Sequence, residues 1–172
     1  MLETHKRIAL FISGLGAWGL ILFAWLYLEK TLYLAPCPLC MMQRLAFAIA
    51  GSFMILEAVF WPVSSISRTT LMIGKYAGIF FGLGLSARHL HIQSLPAGEI
   101  PACGFDFWGT LDKNGFWNGL LQSMQGTGDC AVVGNFLGLS IPLWSLLAFA
   151  ALLMIAMIFG NPRERFPHRQ QH

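Results

Sequence analysis

Long apolar runs separated by short polar stretches dominate the chain, and their lengths suit a bilayer better than the core of a water-soluble domain. From Ile8 to Leu28 there is no charged residue, while Lys6 and Arg7 stand before the run and Glu29 and Lys30 after it. A helix crossing the hydrocarbon core needs about 20 apolar residues, so residues 8–28 predict a first span. A second is predicted over 39–61, with Arg44 one turn inside its start, Glu57 near its end and Pro62 closing it. Its uncharged centre, Leu45 to Leu56, is short, so the charged ends must snorkel or pack inward. A third covers 71–90, with Lys75 and Arg88 near opposite ends and Gly78, Gly82 and Gly84 offering close helix approach. From Ala131 to Asn161 no charge occurs. That is too long for one crossing, and Pro142 divides it into an interfacial piece and a last span over 142–160.

Composition agrees. Of 172 residues, 56% are hydrophobic and only 11% charged, against about a quarter charged in soluble domains. The fold class expected is an all-α membrane protein, a four-transmembrane-helix bundle with two outer loops and a short interfacial helix. The whole of 1–172 forms a single integral membrane domain. Positive charge marks the cytoplasmic side of short loops. Lys6, Arg7, Arg68, Lys75, Arg163, Arg165 and Arg169 fall on one side, against Lys30, Arg44, Arg88 and Lys113 on the other. Both termini are therefore expected in the cytoplasm, and loops 29–39 and 89–129 outside it. In a bacterium this means an inner-membrane protein whose loops face the periplasm, where disulfides persist.

Several alternatives fall away. The first apolar run exceeds the roughly 7 to 15 residues of a signal-peptide core and no small-residue cleavage pattern follows it. Pro36 likewise spoils the lipoprotein-like Leu34-Ala35-Pro36-Cys37. No nucleic-acid partner is expected: the net charge is only +3, and the C-terminal arginines beside a span suit anionic lipid or topology. Phe105, Phe107, Trp108, Phe116 and Trp117 are expected as anchors at the headgroup level, with Trp61 and Trp144 in the same belt. Phe136 to Leu139 are expected to continue that contact as a short amphipathic helix. Glu57 is expected at the cytoplasmic interface.

The candidate chemistry lies in four cysteines, all on the outer side: Cys37, Cys40 at the start of the second span, Cys103, and Cys130 at the boundary between loop and interface. In Cys37-Pro38-Leu39-Cys40, Pro38 suits a first helical position. Cys40 then sits in the first turn, where unpaired N–H groups and the positive end of the helix dipole favour a thiolate. Arg44, four residues on, shares its face. Cys40 is expected to be the readily ionised thiol.

Cys-X-X-Cys also serves zinc sites and structural bridges, but a lone pair with the other two cysteines far apart fits zinc modules poorly, and no metal is expected. Cys103 and Cys130 bracket a stretch holding Gly104, Gly109, Gly115, Gly119, Gly126 and Gly128, read as a mobile loop. If these two thiols pair, the bridge is either a staple contributing roughly 3 to 4 kcal/mol or a partner for exchange with the first pair. His89 and His91, at i and i+2 on a helix, point to different faces and make poor joint ligands.

Together these residues resemble the DsbB family of disulfide-bond formation proteins, bacterial inner-membrane enzymes that pass electrons from thiols to quinone. The resemblance rests on Cys37-Pro38-Leu39-Cys40 with Gln43-Arg44, on Gln93 and Leu95-Pro96 ahead of Pro101-Ala102-Cys103, and on Gly128-Asp129-Cys130-Ala131 followed by Phe136-Leu137-Gly138-Leu139 and Pro142-Leu143-Trp144. It implies a relay. A reduced periplasmic DsbA-type thiol oxidase attacks a Cys103/Cys130 disulfide at Cys103, Cys130 then attacks Cys37, and Cys40 is released beside a membrane quinone, ubiquinone or menaquinone. Arg44 matches the arginine that assists quinone binding, and His89 and Gln93 are weaker candidates for that pocket.

The DsbA, DsbB and quinone system is itself the standard example of a periplasm kept oxidising kinetically. At about −120 mV, DsbA is not regenerated by an ordinary low-potential disulfide. The competing expectations are a relay serving a different thiol partner and a non-catalytic membrane subunit or scaffold stapled by two inert disulfides.

Overall fold

The computed structural model describes residues 2–33, 36–60, 65–96, 98–104, 107–131 and 135–160. Leu34, Ala35, Trp61, Pro62, Phe105, Asp106, Asn161, Arg163, Arg165 and Arg169, on which parts of the sequence reading fall, lie outside the described residues. Helix α1 (Leu2–Phe23) runs on as a π-helical turn over Ala24–Glu29. It is followed by α2 (Pro38–Phe60), α3 (Ser65–Gln93), α4 (Phe107–Asn114), α5 (Phe116–Gln125), a 3-10 turn (Gly128–Ala131), the two-residue strands β1 (Asn135–Phe136) and β2 (Leu139–Ser140), and α6 (Ile141–Phe159). Among the described residues, four helical stretches, Thr4–Glu29, Pro38–Phe60, Ile66–Gln93 and Ile141–Phe159, are long and apolar enough to cross a membrane. α2 packs on α1 and α3, α3 on α6, and α6 back on α1, which closes the bundle.

The first and third helices exceed the predicted spans 8–28 and 71–90, because charges that end a hydropathy window need not end a helix. Near the start of α1, Arg7 donates from Nε to Ala58 O at 2.9 Å and from Nη2 to Val59 O at 3.3 Å. Carbonyls in the last turn of a helix lack intrahelical donors, so this arginine is held where it caps α2. Glu57, expected at an interface, is instead buried and pairs with the fully buried Lys75 of α3, Nζ to Oε2 2.6 Å. Each charge enters the bundle because the other is there.

Small residues set the helix spacing. A methyl group on Gly78 would stand 2.8 Å from the backbone nitrogen of Ala50, and one on Gly82 would enter the ring of Phe149. Phe149 has no room to yield, since it stacks on Phe47 with centroids 3.8 Å apart and planes 10° apart. Gly84, by contrast, faces open space, so only two of the three glycines expected at a crossing serve one. Gly82→Ala is predicted to cost about 1–3 kcal/mol by overpacking and to lower the melting midpoint in detergent, whereas Gly84→Ala leaves it within experimental scatter.

Two expectations for the connecting segments are corrected. Residues 107–125 of the presumed mobile loop form α4 and α5, hinged at Gly115, whose φ of 75° is open to glycine. Trp108, Phe116, Trp117 and Leu121 lie exposed along them. Phe136 to Leu139 are not a helix. Phe136 pairs with Leu139 in a hairpin whose two-residue turn, Leu137 and Gly138, has φ of 52° and 82°, the positive values that a type I′ turn requires.

Candidate functional site

The helix start predicted at Pro38 is built as follows. Cys37 is the residue before α2; its carbonyl accepts from Met41 N at 3.2 Å and its sulfur from the backbone N–H of Cys40 at 3.4 Å. A side-chain acceptor at this position satisfies an otherwise orphaned donor of the first turn. The same geometry folds the two thiols together: Cys37 Sγ donates to Cys40 Sγ at 2.9 Å. All four cysteines are free thiols in this structure.

From this pair the site divides in two. On one side Cys40 opens into an apolar cavity of about 660 Å³ between α1, α2 and α6. Arg44 lines it one turn along α2, with Phe47, Phe136 and Trp144 among the aromatic walls. The hairpin matters here. Phe136 lies against Phe23 and Tyr27 at 5.6 and 5.9 Å between centroids, and its carbonyl accepts from Trp144 Nε1 at 2.9 Å. Arg44 is held by an ion pair with Glu29, the last residue of the π-helical turn; such turns are frequent at functional sites. A mostly apolar space lined also by one cation and one thiol fits a lipid-soluble ring carrying carbonyl oxygens.

On the other side Cys37 meets Cys130 and His89. The sulfurs of Cys37 and Cys130 and a ring nitrogen of His89 all lie within 4.8 Å of one another. His89 Nε2 is 3.9 Å from Cys37 Sγ and 3.2 Å from Cys130 O. A carbonyl only accepts, so Nε2 carries the proton, and Nδ1 accepts from the Gln43 amide at 3.4 Å. Cys130 is buried in its 3-10 turn. Interaction with Cys37 pulls its thiol down to about 6, while the Cys130 and Cys40 sulfurs, which compete for the single Cys37 proton, push the Cys37 thiol well up.

Cys103 is exposed, on a segment zipped to the Cys130 turn: Gly128 N donates to Ala102 O at 3.1 Å and Gly104 N to Asp129 Oδ2 at 3.3 Å. Hence Cys37, Cys40, Cys130, Arg44 and His89 come together at one end of the bundle. His89 faces the Cys37 and Cys130 sulfurs and does not line the cavity; Gln93, half-buried at the end of α3, does not line it either. Glu29, Phe136 and Gln43 join the site without having been candidates for it in the sequence. Of these only Gln43 carried a signal, as one turn of α2 puts it on the face of Cys40.

Comparison with known proteins is consistent with this geometry. The family described as "Disulfide bond formation protein DsbB" matches residues 6–159. A Disulfide bond formation protein B of Psychrobacter cryohalolentis is 36% identical over 160 residues, covering 91% of this chain and 89% of its own. One from Saccharophagus degradans is 38% identical over 160 residues, covering 92% and 95%. One from Hahella chejuensis is 40% identical over 145 residues, covering 84% and 87%.

Proposed function

The chain belongs to the DsbB family of disulfide bond formation proteins, multi-pass membrane oxidoreductases, and on that premise we propose that it reoxidises a periplasmic DsbA-type thiol oxidase and delivers the electrons to membrane quinone. The observation that carries the reading is the position of Cys37, with Cys40 at 2.9 Å on its cavity side and Cys130 within 4.8 Å on the other. A sulfur so placed accepts attack from one neighbour and releases the other.

In the oxidised resting protein the pairs are Cys103–Cys130 and Cys37–Cys40. A partner thiolate attacks Cys103 Sγ, forming a mixed disulfide and expelling Cys130 as a thiolate. Exposure of Cys103 makes it the accessible sulfur of its pair. Cys130 attacks Cys37 Sγ, the Cys37–Cys130 bond forms, and Cys40 leaves as a thiolate facing Arg44. The partner's second thiol then resolves its mixed disulfide and Cys103 leaves as a thiolate. Cys103 attacks Cys130, restores the first pair and frees Cys37 beside Cys40. When bound, a quinone supplies the acceptor for the two electrons and two protons that rejoining Cys37 to Cys40 releases. Arg44, braced by Glu29, presents guanidinium N–H donors to the cavity, and Phe47, Phe136 and Trp144 keep water from the Cys40 thiolate. Termini in the cytoplasm and cysteines in the periplasm complete the proposal.

The test is partner oxidation by purified protein in detergent with and without a soluble quinone. One partner disulfide formed per quinone consumed is expected. A scaffold with inert disulfides would oxidise nothing, and partner oxidation equally fast without quinone would remove the electron acceptor from the proposal. Arg44→Ala is predicted to raise KM for quinone by about 10- to 100-fold, the loss of one charge-assisted hydrogen bond, measured from the fall in quinone ultraviolet absorbance.

A further inference from the structure

Cys37, His89 and Cys130 present two sulfurs and one imidazole nitrogen within 4.8 Å of one another. The ligand atoms of a tetrahedral zinc site stand about 3.4–3.8 Å apart, given Zn–S near 2.3 Å and Zn–N near 2.0 Å. Cys37 Sγ and His89 Nε2 are already 3.9 Å apart, so small side-chain rotations close the set. We propose that, in the fully reduced protein, these three residues form a site for a thiophilic divalent cation such as Zn²⁺, with a fourth position left to solvent.

Three features argue for it beyond proximity. Two thiolates cancel the charge of a divalent cation, so the filled site is neutral, as a buried position requires. Soft sulfur with imidazole is a donor set that favours zinc over magnesium or calcium. Gln43 already touches Nδ1 at 3.4 Å, and turning its amide lets Nδ1–H donate to the amide oxygen while Nε2 gives up its proton and its bond to Cys130 O. An outer partner on the second nitrogen is what orients a metal-bound histidine.

Binding takes both sulfurs as thiolates, any thiol proton still present going to solvent, and moves the imidazole proton from Nε2 to Nδ1; no electrons move. A disulfide at Cys37, whether to Cys40 or to Cys130, removes a ligand, so the site exists only while the thiols are reduced. A cation seated there withholds Cys37 and Cys130 from exchange, and is a reversible brake on a relay that has lost its oxidant. Cys40, on the cavity side, is not a ligand.

The experiment uses full-length protein in detergent, reduced anaerobically, freed of reductant and titrated with Zn²⁺ against a chromophoric chelator. Neither quinone nor partner is present, so the outcome is independent of the proposed relay. One equivalent should bind. His89→Ala, His89→Gln and Cys130→Ser should each weaken binding at least about tenfold, with Cys40→Ser and Cys103→Ser within about twofold of the parent. An ordinary Cys-X-X-Cys chelate gives the reverse pattern, dependent on Cys40 and indifferent to His89, and overturns the proposal, as does failure of the parent protein to bind. X-ray absorption at the zinc edge on the unaltered protein needs no variant: two sulfurs and one imidazole are expected, and a shell without imidazole refutes the site.

Discussion

Cys130→Ser should abolish oxidation of the thiol partner, lowering the rate by at least about a thousandfold, the scale on which loss of an essential nucleophile is felt. Serine has nearly the size of cysteine, and Cys130 is held by its backbone: its N–H donates to Thr127 O at 2.9 Å and its carbonyl receives His89. The fold should therefore persist while the hydroxyl, unlike a thiolate, cannot attack the sulfur of Cys37. The Cys37 and Cys40 pair is untouched, so quinone-dependent oxidation of a small dithiol that reaches Cys37 directly should continue. Assaying both substrates separates a broken relay from a broken protein. Partner oxidation at the parent rate in this variant would mean that electrons bypass Cys130.

Breaking the Glu57–Lys75 pair should have the largest effect on stability. Lys75 is wholly buried, its ammonium 2.6 Å from Glu57 Oε2 and 5.2 Å from the Tyr76 ring. Glu57→Gln leaves a cation in the bundle without a counter-charge, at a cost of about 3–5 kcal/mol, and Lys75→Met does the same for the carboxylate. The double variant Glu57→Gln/Lys75→Met should recover most of the loss, because two neutral side chains need no mutual compensation. Unfolding of all four proteins in mixed detergent measures the coupling directly. Single variants as stable as the parent would show that water or lipid headgroups reach this pair.

The two experiments read opposite ends of α2, and the sequence was unequally informative about them. At the cysteine end, Pro38 announced the helix start, and the four-residue spacing from Cys40 to Arg44 put both on one face, which is the face lining the cavity. Local geometry sufficed there. At the other end, Glu57 looked like a charge bound for an interface and Lys75 like one near a span end, since each taken alone is too costly to bury. Their pairing depends on the rotation of α3 against α2, which no local pattern states. The hairpin was missed for a related reason: Leu137-Gly138 lacks the Asn-Gly or Asp-Gly signature of its turn, and Phe136 is held by contacts with Phe23 and Tyr27, distant in the chain.

What the amino-acid order alone determined was the number of spans and the gathering of the cysteine segments beside them, because the cost of exposing backbone and charge to hydrocarbon acts on each stretch separately. The tertiary structure alone decided which sulfur faces which neighbour: Cys40 the cavity, Cys37 both sides, Cys130 and His89 the face away from it. Those directions follow from how the end of α3 meets the start of α2, with His89 against Gln43 and Cys37, and from where the Cys130 turn lies on His89. Both are properties of surfaces meeting, and they come into being only when the helices pack.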